Sequence, residues 1–439
     1  MISSSVLPAV VVIGVLAGCA RQSEKIAELP KTPVEIKPAG AAAKAHQQAA
    51  TALAFTPDGK ILVSGSADTT VKLWGVPEGR LKTVLAGHRV EVSQLVVFPD
   101  GRRLASGGAG KAEPILDGMT FRPTMVRLND ELRLWSLPEG RLLKKLFSRG
   151  GATALAPTPN GKMLISASAD VLAVYSVAED KEAGLGSHEF EIGALAIASD
   201  GRTIASASRD RVVKLWSLAD LKLAATINLE RAKTMELTVQ MFGGKPTLRI
   251  FVPPVAFAPD STLLATGNVG NVVQLWSVPE GRLAARLPAA PPTGPTETKT
   301  KKSSSDKGKG NWVSGLAFSS DGKTLAAVHN EKTVQLWSVP EKRMLRTLEG
   351  HAAPITHLAV SPHGNMIATA SEDKTVKLWA WADGRLGATL SGHAGEVTRL
   401  AFAADGRTLA SGDSAGGILL WDLAPLGCRG YLVDPAIKQ

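Results

Sequence analysis

The string ASEDKTVKLW at residues 370–379 is written again, with small changes, as GSADTTVKLW at 65–74 and ASRDRVVKLW at 207–216. A chemical motif is ordinarily present once. A string present many times describes a structural unit, and a chain of such units is confined to arrays or rings in which each copy buries its faces against the next. The spacing sets the unit. Turn positions fall at Asp58, Asp100, Asn160, Asp200, Asp260, Asp321, His363 and Asp405, and aromatics at Trp74, Trp135, Tyr175, Trp216, Trp276, Trp337, Trp379 and Trp421. Turn and aromatic are 16 residues apart in six units, 15 in the third and 35 in the second. Each aromatic is followed by the next turn after 25 or 26 residues, except after Trp216 (44) and Trp276 (45). The period is therefore about 42 residues, interrupted by three insertions at 109–130, 228–252 and 288–311.

Each unit reads as four strands. VTRLAFAADGRTLASG (397–412) alternates apolar and polar residues, turns at Asp405-Gly406 and alternates again, the pattern of a hairpin with one buried face. GILLW gives a third strand, and SVPEGRLAARL (277–287) a second turn and a fourth strand. Glycine in those turns supplies the positive φ that a tight reversal needs. No stretch carries helical spacing with caps.

Four strands at this period, with Gly-His at 87–88, 350–351 and 392–393, the Asp-Gly turn, an aspartate six residues before the aromatic, and Trp, resemble the WD-repeat (β-transducin-repeat) β-propeller family. The resemblance covers residues 46 to about 423. It implies an all-β ring of eight four-stranded blades; a seven-bladed ring would require the unit around Tyr175 to be spurious. The Trp-Asp dipeptide itself survives only at Trp421-Asp422. The resemblance also implies a structural His-Ser-Asp-Trp relay in each complete unit: His46, Ser66, Asp68 and Trp74; His188, Ser208, Asp210 and Trp216; His351, Ser371, Asp373 and Trp379. Units five and six, with Asn268 and Gly270, and His329 and Glu331, break the pattern, so those blades are expected to be softer. The last outer strand comes either from GYLVD (430–434) or from VEIK (34–37) acting as a clasp.

The N-terminus has its own signature. VLPAVVVIGVLAGCA (6–20) is too short to span a bilayer comfortably but suits a signal-peptide core. It ends in Leu16-Ala17-Gly18-Cys19, which resembles a bacterial lipobox, although MISSS before it carries no Lys or Arg. The implied organisation is a signal peptide over 1–18, a lipid on Cys19, a flexible tether over 19–45 that could add a closing strand, and the propeller over 46–439. As loose coil the tether would reach on the order of 25–30 Å. Ala20 after the cysteine favours the outer membrane, and the layout is similar to that of the propeller lipoprotein of outer-membrane barrel assembly. A misread N-terminus would instead leave a cytoplasmic scaffold.

Little in the chain suggests chemistry. The net charge is +10, but Lys299, Lys301, Lys302, Lys307 and Lys309 crowd one Pro-, Ser- and Thr-rich insertion, and no aromatic-interleaved basic strip for nucleic acid exists. The two cysteines, Cys19 and Cys428, build neither a disulfide framework nor a zinc site. His351, His357 and His363 are separated by strand alternation and a turn, so no metal is expected, and no cofactor motif is present. The innermost strands carry only His357 and Arg399 as notable polar groups, a thin basis for the alternative of an enzyme or small-ligand propeller working through its channel. The expected function is a non-catalytic protein-interaction scaffold, a single lipid-anchored ring in the bacterial cell envelope with protein partners still unidentified. The candidate contact is a hairpin within 234–252, with Met235, Leu237, Val239 and Met241 on one strand, Gly243-Gly244 at the turn, and Leu248 and Ile250 returning.

Overall fold

The computed structural model describes residues 29–38, 43–108, 112–116, 123–127, 132–146, 151–229, 238–242, 245–249, 252–268, 270–287, 312–329 and 332–437. Eight antiparallel four-stranded sheets form the eight blades of a β-propeller, and no helix occurs among these residues. The first strand of each blade is innermost. These strands touch in a closed cycle, from Val397–Phe402 of blade eight to Ala50–Phe55 of blade one, then Gln94–Val97, Ala154–Pro157, Ile192–Ile197, Val255–Phe257, Val313–Phe318, Ile355–Val360 and back. Blade three, built around Tyr175, is a full member (Ala154–Pro157, Met163–Ser168, Val171–Ser176, Lys181–Ser187). The ring therefore has eight blades, not seven.

Alternation along each strand makes this arrangement stable. In blade eight Leu409, Leu419 and Trp421 pack with Leu378, Ala388 and Leu390 of blade seven, while the alternate residues Ala410, Ile418 and Leu420 pack with Leu62 and Trp74 of blade one. Equivalent sandwiches recur between the other blades. A sheet with both faces buried cannot stand alone, so each blade needs two neighbours. The turn aspartates fix the hairpins locally: Asp58 Oδ1 accepts from Thr56 Oγ1 at 2.6 Å and from the Lys60 N–H at 3.1 Å, with Gly59 at φ 68°.

The ends of the chain answer the closure question in an unexpected way. Leu426–Tyr431 is the outer strand of blade eight, so the C-terminal segment supplies it. Val34–Ile36 also forms a strand, but it pairs in parallel with Leu386–Leu390 and so becomes a fifth strand on blade seven. Leu29 fills the space left by Gly387, where a Cβ would come within 2.5 Å of Leu29. Arg385 donates to the carbonyls of Pro30 and Leu29. Within the expected tether, Leu29, Pro30 and Val34–Ile36 are thus docked on the ring. The physical reason is that the outer edge of blade seven offers unpaired backbone groups, which a short β-branched segment can satisfy.

The ring itself is joined between blades eight and one as it is elsewhere. Thr398 Oγ1 donates to Ala50 O at 2.5 Å, Thr51 Oγ1 to Val92 O at 2.5 Å, and Thr356 Oγ1 to Val397 O. Outside this inner seam, Asp434 crosses from the C-terminal segment to bind Lys72 of blade one at 2.6 Å, with both side chains buried.

Candidate functional site

Ser-His-Asp constellations are the most chemically suggestive feature of the sequence. In blade one the Trp74 indole N–H lies 2.8 Å from Ser64 Oγ, Ser64 lies 2.7 Å from His46 Nε2, and His46 Nδ1 lies 3.1 Å from Asp68 Oδ2. An indole can only donate. The protons therefore run from Trp74 to Ser64, from Ser64 to Nε2, and from Nδ1 to the carboxylate. Burial alone would raise the Asp68 carboxyl, but hydrogen bonds from His46 and Thr70 hold it far below the usual range. Asp373 behaves alike with His351 and Thr375. Ser64 has no exposed surface, so this hydroxyl cannot meet a substrate carbonyl, and the set locks the blade instead.

The hydroxyl of the relay differs from the expected one. It is Ser64, Ser206 and Thr369, two residues before Ser66, Ser208 and Ser371. Trp74 pairs across the ladder with Leu62, so its indole reaches the diagonal neighbour at 64, on the same face as 66. Ser66, Ser208 and Ser371 sit at the strand ends and donate to the carbonyls of Gln48, Phe190 and Ala353.

Of the three expected sets, the aspartate leg is made in blades one and seven. In blade seven His351 lies 2.8 Å from both Thr369 Oγ1 and Asp373 Oδ2. In blade four Asp210 accepts from the Val212 N–H at 2.8 Å, while His188 Nδ1 is buried without a hydrogen-bond partner. Burial pushes His188 down to about 4, against the pull of Asp210.

Two further relays escape the spacing rule. Blade eight has His393, Ser411, Asp413 and Trp421, with His393 2.6 Å from Ser411 and 2.8 Å from Asp413. Its aspartate stands eight residues before the tryptophan, on the strand rather than in the turn. Blade two has His88, Ser106 and Trp135, each hydrogen bond 2.7 Å; the insertion at 109–130 separates serine from tryptophan in sequence. The Gly-His pairs at 87–88 and 392–393 were the signal for both.

Blade six keeps its tryptophan and loses the relay. Ala327 takes the hydroxyl position, since it and Ser64 occupy the same place in the ladder, and Trp337 Nε1 is buried with no partner. His329 is fully buried and neither ring nitrogen has a partner. In blade five Thr266 Oγ1 accepts from Trp276 at 2.9 Å. Replacing Ala327→Ser should give Trp337 the same acceptor and stabilise the protein by about 1 kcal/mol, read as a higher denaturation midpoint.

Among the described residues no three His, Cys, Asp or Glu side chains gather as a metal site. His363 Nε2 is 3.0 Å from Asp405 O in the neighbouring turn. Cys428 is half-buried on the outer strand of blade eight, and burial pushes its thiol up. What remains as a functional surface is the rim. The 109–130 insertion joins the second and third strands of blade two, and the other two join a fourth strand to the next first strand. Strands run alternately up and down, so all three depart from one rim. Within them two hairpins form, Ala112–Leu116 with Pro123–Arg127, and Thr238–Phe242 with Lys245–Arg249. Val239, Met241 and Leu248 lie in the second hairpin, whereas Met235, Leu237, Ile250 and the lipid-bearing candidate Cys19 fall outside the described residues.

Eight blades closed by their innermost strands, most of them built on a Trp-centred relay or a remnant of one, define a repeat propeller. The chain belongs to the WD40 family (WD domain, G-beta repeat), whose pattern matches residues 41–75, 79–112, 181–217, 301–338, 342–380 and 384–422, half of the chain. It is 25% identical over 331 residues to the nuclear distribution protein nudF of Aspergillus niger, over 70% of this chain and 63% of that protein. It is 27% identical over 188 residues to the small ribosomal subunit protein RACK1y of Oryza sativa, over 40% and 50% respectively. The chain thus spans half to two thirds of the length of these relatives. The crystal structure of the computationally designed Ika8 protein shares the fold, with TM-score 0.64 and 24% identity over 89% of this chain and 99% of that one.

Proposed function

We propose that the chain is a non-catalytic protein-interaction platform, working as a single ring anchored in the bacterial cell envelope by a lipid on Cys19. The observation that carries the reading is that all three insertions leave the same rim while the opposite rim keeps short turns. A rigid ring holding variable loops on one side is a binding device. RACK1y, by its name a ribosomal subunit protein, belongs to an assembly, which agrees with a role in holding partners. The lipobox-like Leu16-Ala17-Gly18-Cys19 supports the anchor, and Ala20 favours the outer membrane.

The test is crosslinking and pull-down of the full chain against the same chain lacking 230–251. Loss of one or more partners is expected; an unchanged partner list removes the hairpin as the contact. Cys19→Ser should move the protein from the membrane to the soluble fraction, and an unmoved protein would remove the anchor.

A further inference from the structure

Seven of the eight outer strands carry at least one Lys or Arg, among them Lys82, Lys144, Lys222 and Arg286. Each of these strands ends its sheet among the described residues. A charge on such an open edge hinders another strand from pairing with it. The eighth, Leu386–Leu390 of blade seven, reads LGATL and carries no charge. It is also the outer strand that bears a fifth strand, Val34–Ile36.

The added strand has the features that the edge beneath it lacks. It is three residues long and stands between Pro33 and Pro38, and a proline has no N–H to offer a further strand. Glu35 is exposed and pairs with exposed Lys37 at 3.1 Å. The outermost edge of blade seven is thereby charged, as the other seven are.

The seat for this segment is built into the blade. Val34, Glu35 and Ile36 lie opposite Ala388, Thr389 and Leu390. Ser391 donates its N–H to Ile36 O at 2.9 Å and its hydroxyl to Glu35 Oε1 at 2.8 Å. Leu29 is buried with the core shared by blades seven and eight, at Gly387, where any Cβ would collide with it. The innermost strands close the ring without this segment, so it can leave and the ring remain.

We propose that residues 29–36 are a guard on this edge, and that the edge beneath is a surface for a second copy of the chain. With the guard lifted, Leu386–Leu390 of two rings pair antiparallel about a two-fold axis, each strand meeting its own copy. A strand of Leu, Gly, Ala and Thr sets no charge against that pairing. The seated guard keeps the ring single, in line with the function proposed above, and the inference does not depend on a lipid at Cys19.

The test releases the guard in the full chain, in neutral detergent, with Leu29→Asp and Ile36→Pro together. The first sets a charge against Gly387, and the second removes a strand N–H. Mass is read by sedimentation equilibrium, and the guard by hydrogen exchange at the Ser391 amide. The parent is expected to stay a single ring with a slow Ser391 amide, and the double variant to dimerise at least tenfold more tightly. Adding Thr389→Lys, or an excess of the peptide Leu29–Pro38, should return the variant to single rings. Gly387→Ala keeps the guard sequence and collides with Leu29, so it should shift the balance the same way without relying on the double variant folding. A double variant that stays single overturns the pairing surface if its Ser391 amide is fast, and the guard assignment if that amide stays slow. A dimer that survives Thr389→Lys pairs elsewhere and overturns the proposal too.

Discussion

Asp434→Asn is expected to destabilise the ring by about 3–5 kcal/mol, the cost of leaving one member of a buried ion pair without its counter-charge. The Lys72 ammonium it faces is 4% exposed and donates to Asp434 Oδ2 at 2.6 Å and to Ala45 O at 2.8 Å. Asparagine keeps the shape and one acceptor but removes the charge, so the ammonium stays buried and uncompensated. The pair also clasps the seam between blades eight and one, where the Asp434 N–H donates to Lys44 O. Burial alone would raise the Asp434 carboxyl, yet the Lys72 bond holds it below its ordinary value. A depressed carboxylate stabilises above its unfolded pKa, and that contribution disappears as pH falls through the folded value. Denaturant melts at neutral pH should show the loss, and Lys72→Met combined with Asp434→Leu should recover most of it. If Asp434→Asn melts like the parent, the seam is held by the inner strands alone.

The ring was legible in the sequence because its two signals are covalent spacings: the Asp-Gly turn and the Trp sixteen residues on report one hairpin whose length the fold cannot change. The partners within a blade were less so. Spacing along the chain places Ser64 and Ser66 on one face, and only the ladder, which sets Leu62 opposite Trp74, decides which hydroxyl the indole meets. Asp413 was hidden for a related reason: in blade eight the carboxylate reaches His393 from the strand, at the register position that holds Ser66 in blade one, where the carboxylate comes from Asp68 in the turn. The docking of Val34–Ile36 on blade seven could not be read at all, since VEIK carries strand propensity but no address. That address is an open edge together with the notch at Gly387, both distant in sequence.

A large pH effect should come from a blade that lacks its relay. Burial pushes His329 down to about 4, and with both ring nitrogens unpartnered nothing stabilises its charged form. In the unfolded chain the same imidazole titrates near 6.5. Between those values the unfolded state binds more protons, so folding stability falls as pH drops through this window, by about 1.4 kcal/mol per pH unit for one such group. From pH 6.5 to 4.5, His329 alone should cost about 2–3 kcal/mol, and His188 and His357, depressed to about 4 and about 3, act in the same direction. The relay carboxylates do not confuse the measurement: Asp68 and Asp373 are held far below their usual range, so their contribution stays intact until lower pH. His329→Ser puts at this position the residue found at 66, 208 and 371, and removes the titration. Denaturant melts at pH 6.5 and 4.5 should show the variant losing about 2–3 kcal/mol less than the parent over that interval. An identical loss in both would mean that His329 gains a proton without cost, which a buried imidazole with neither nitrogen hydrogen-bonded does not allow.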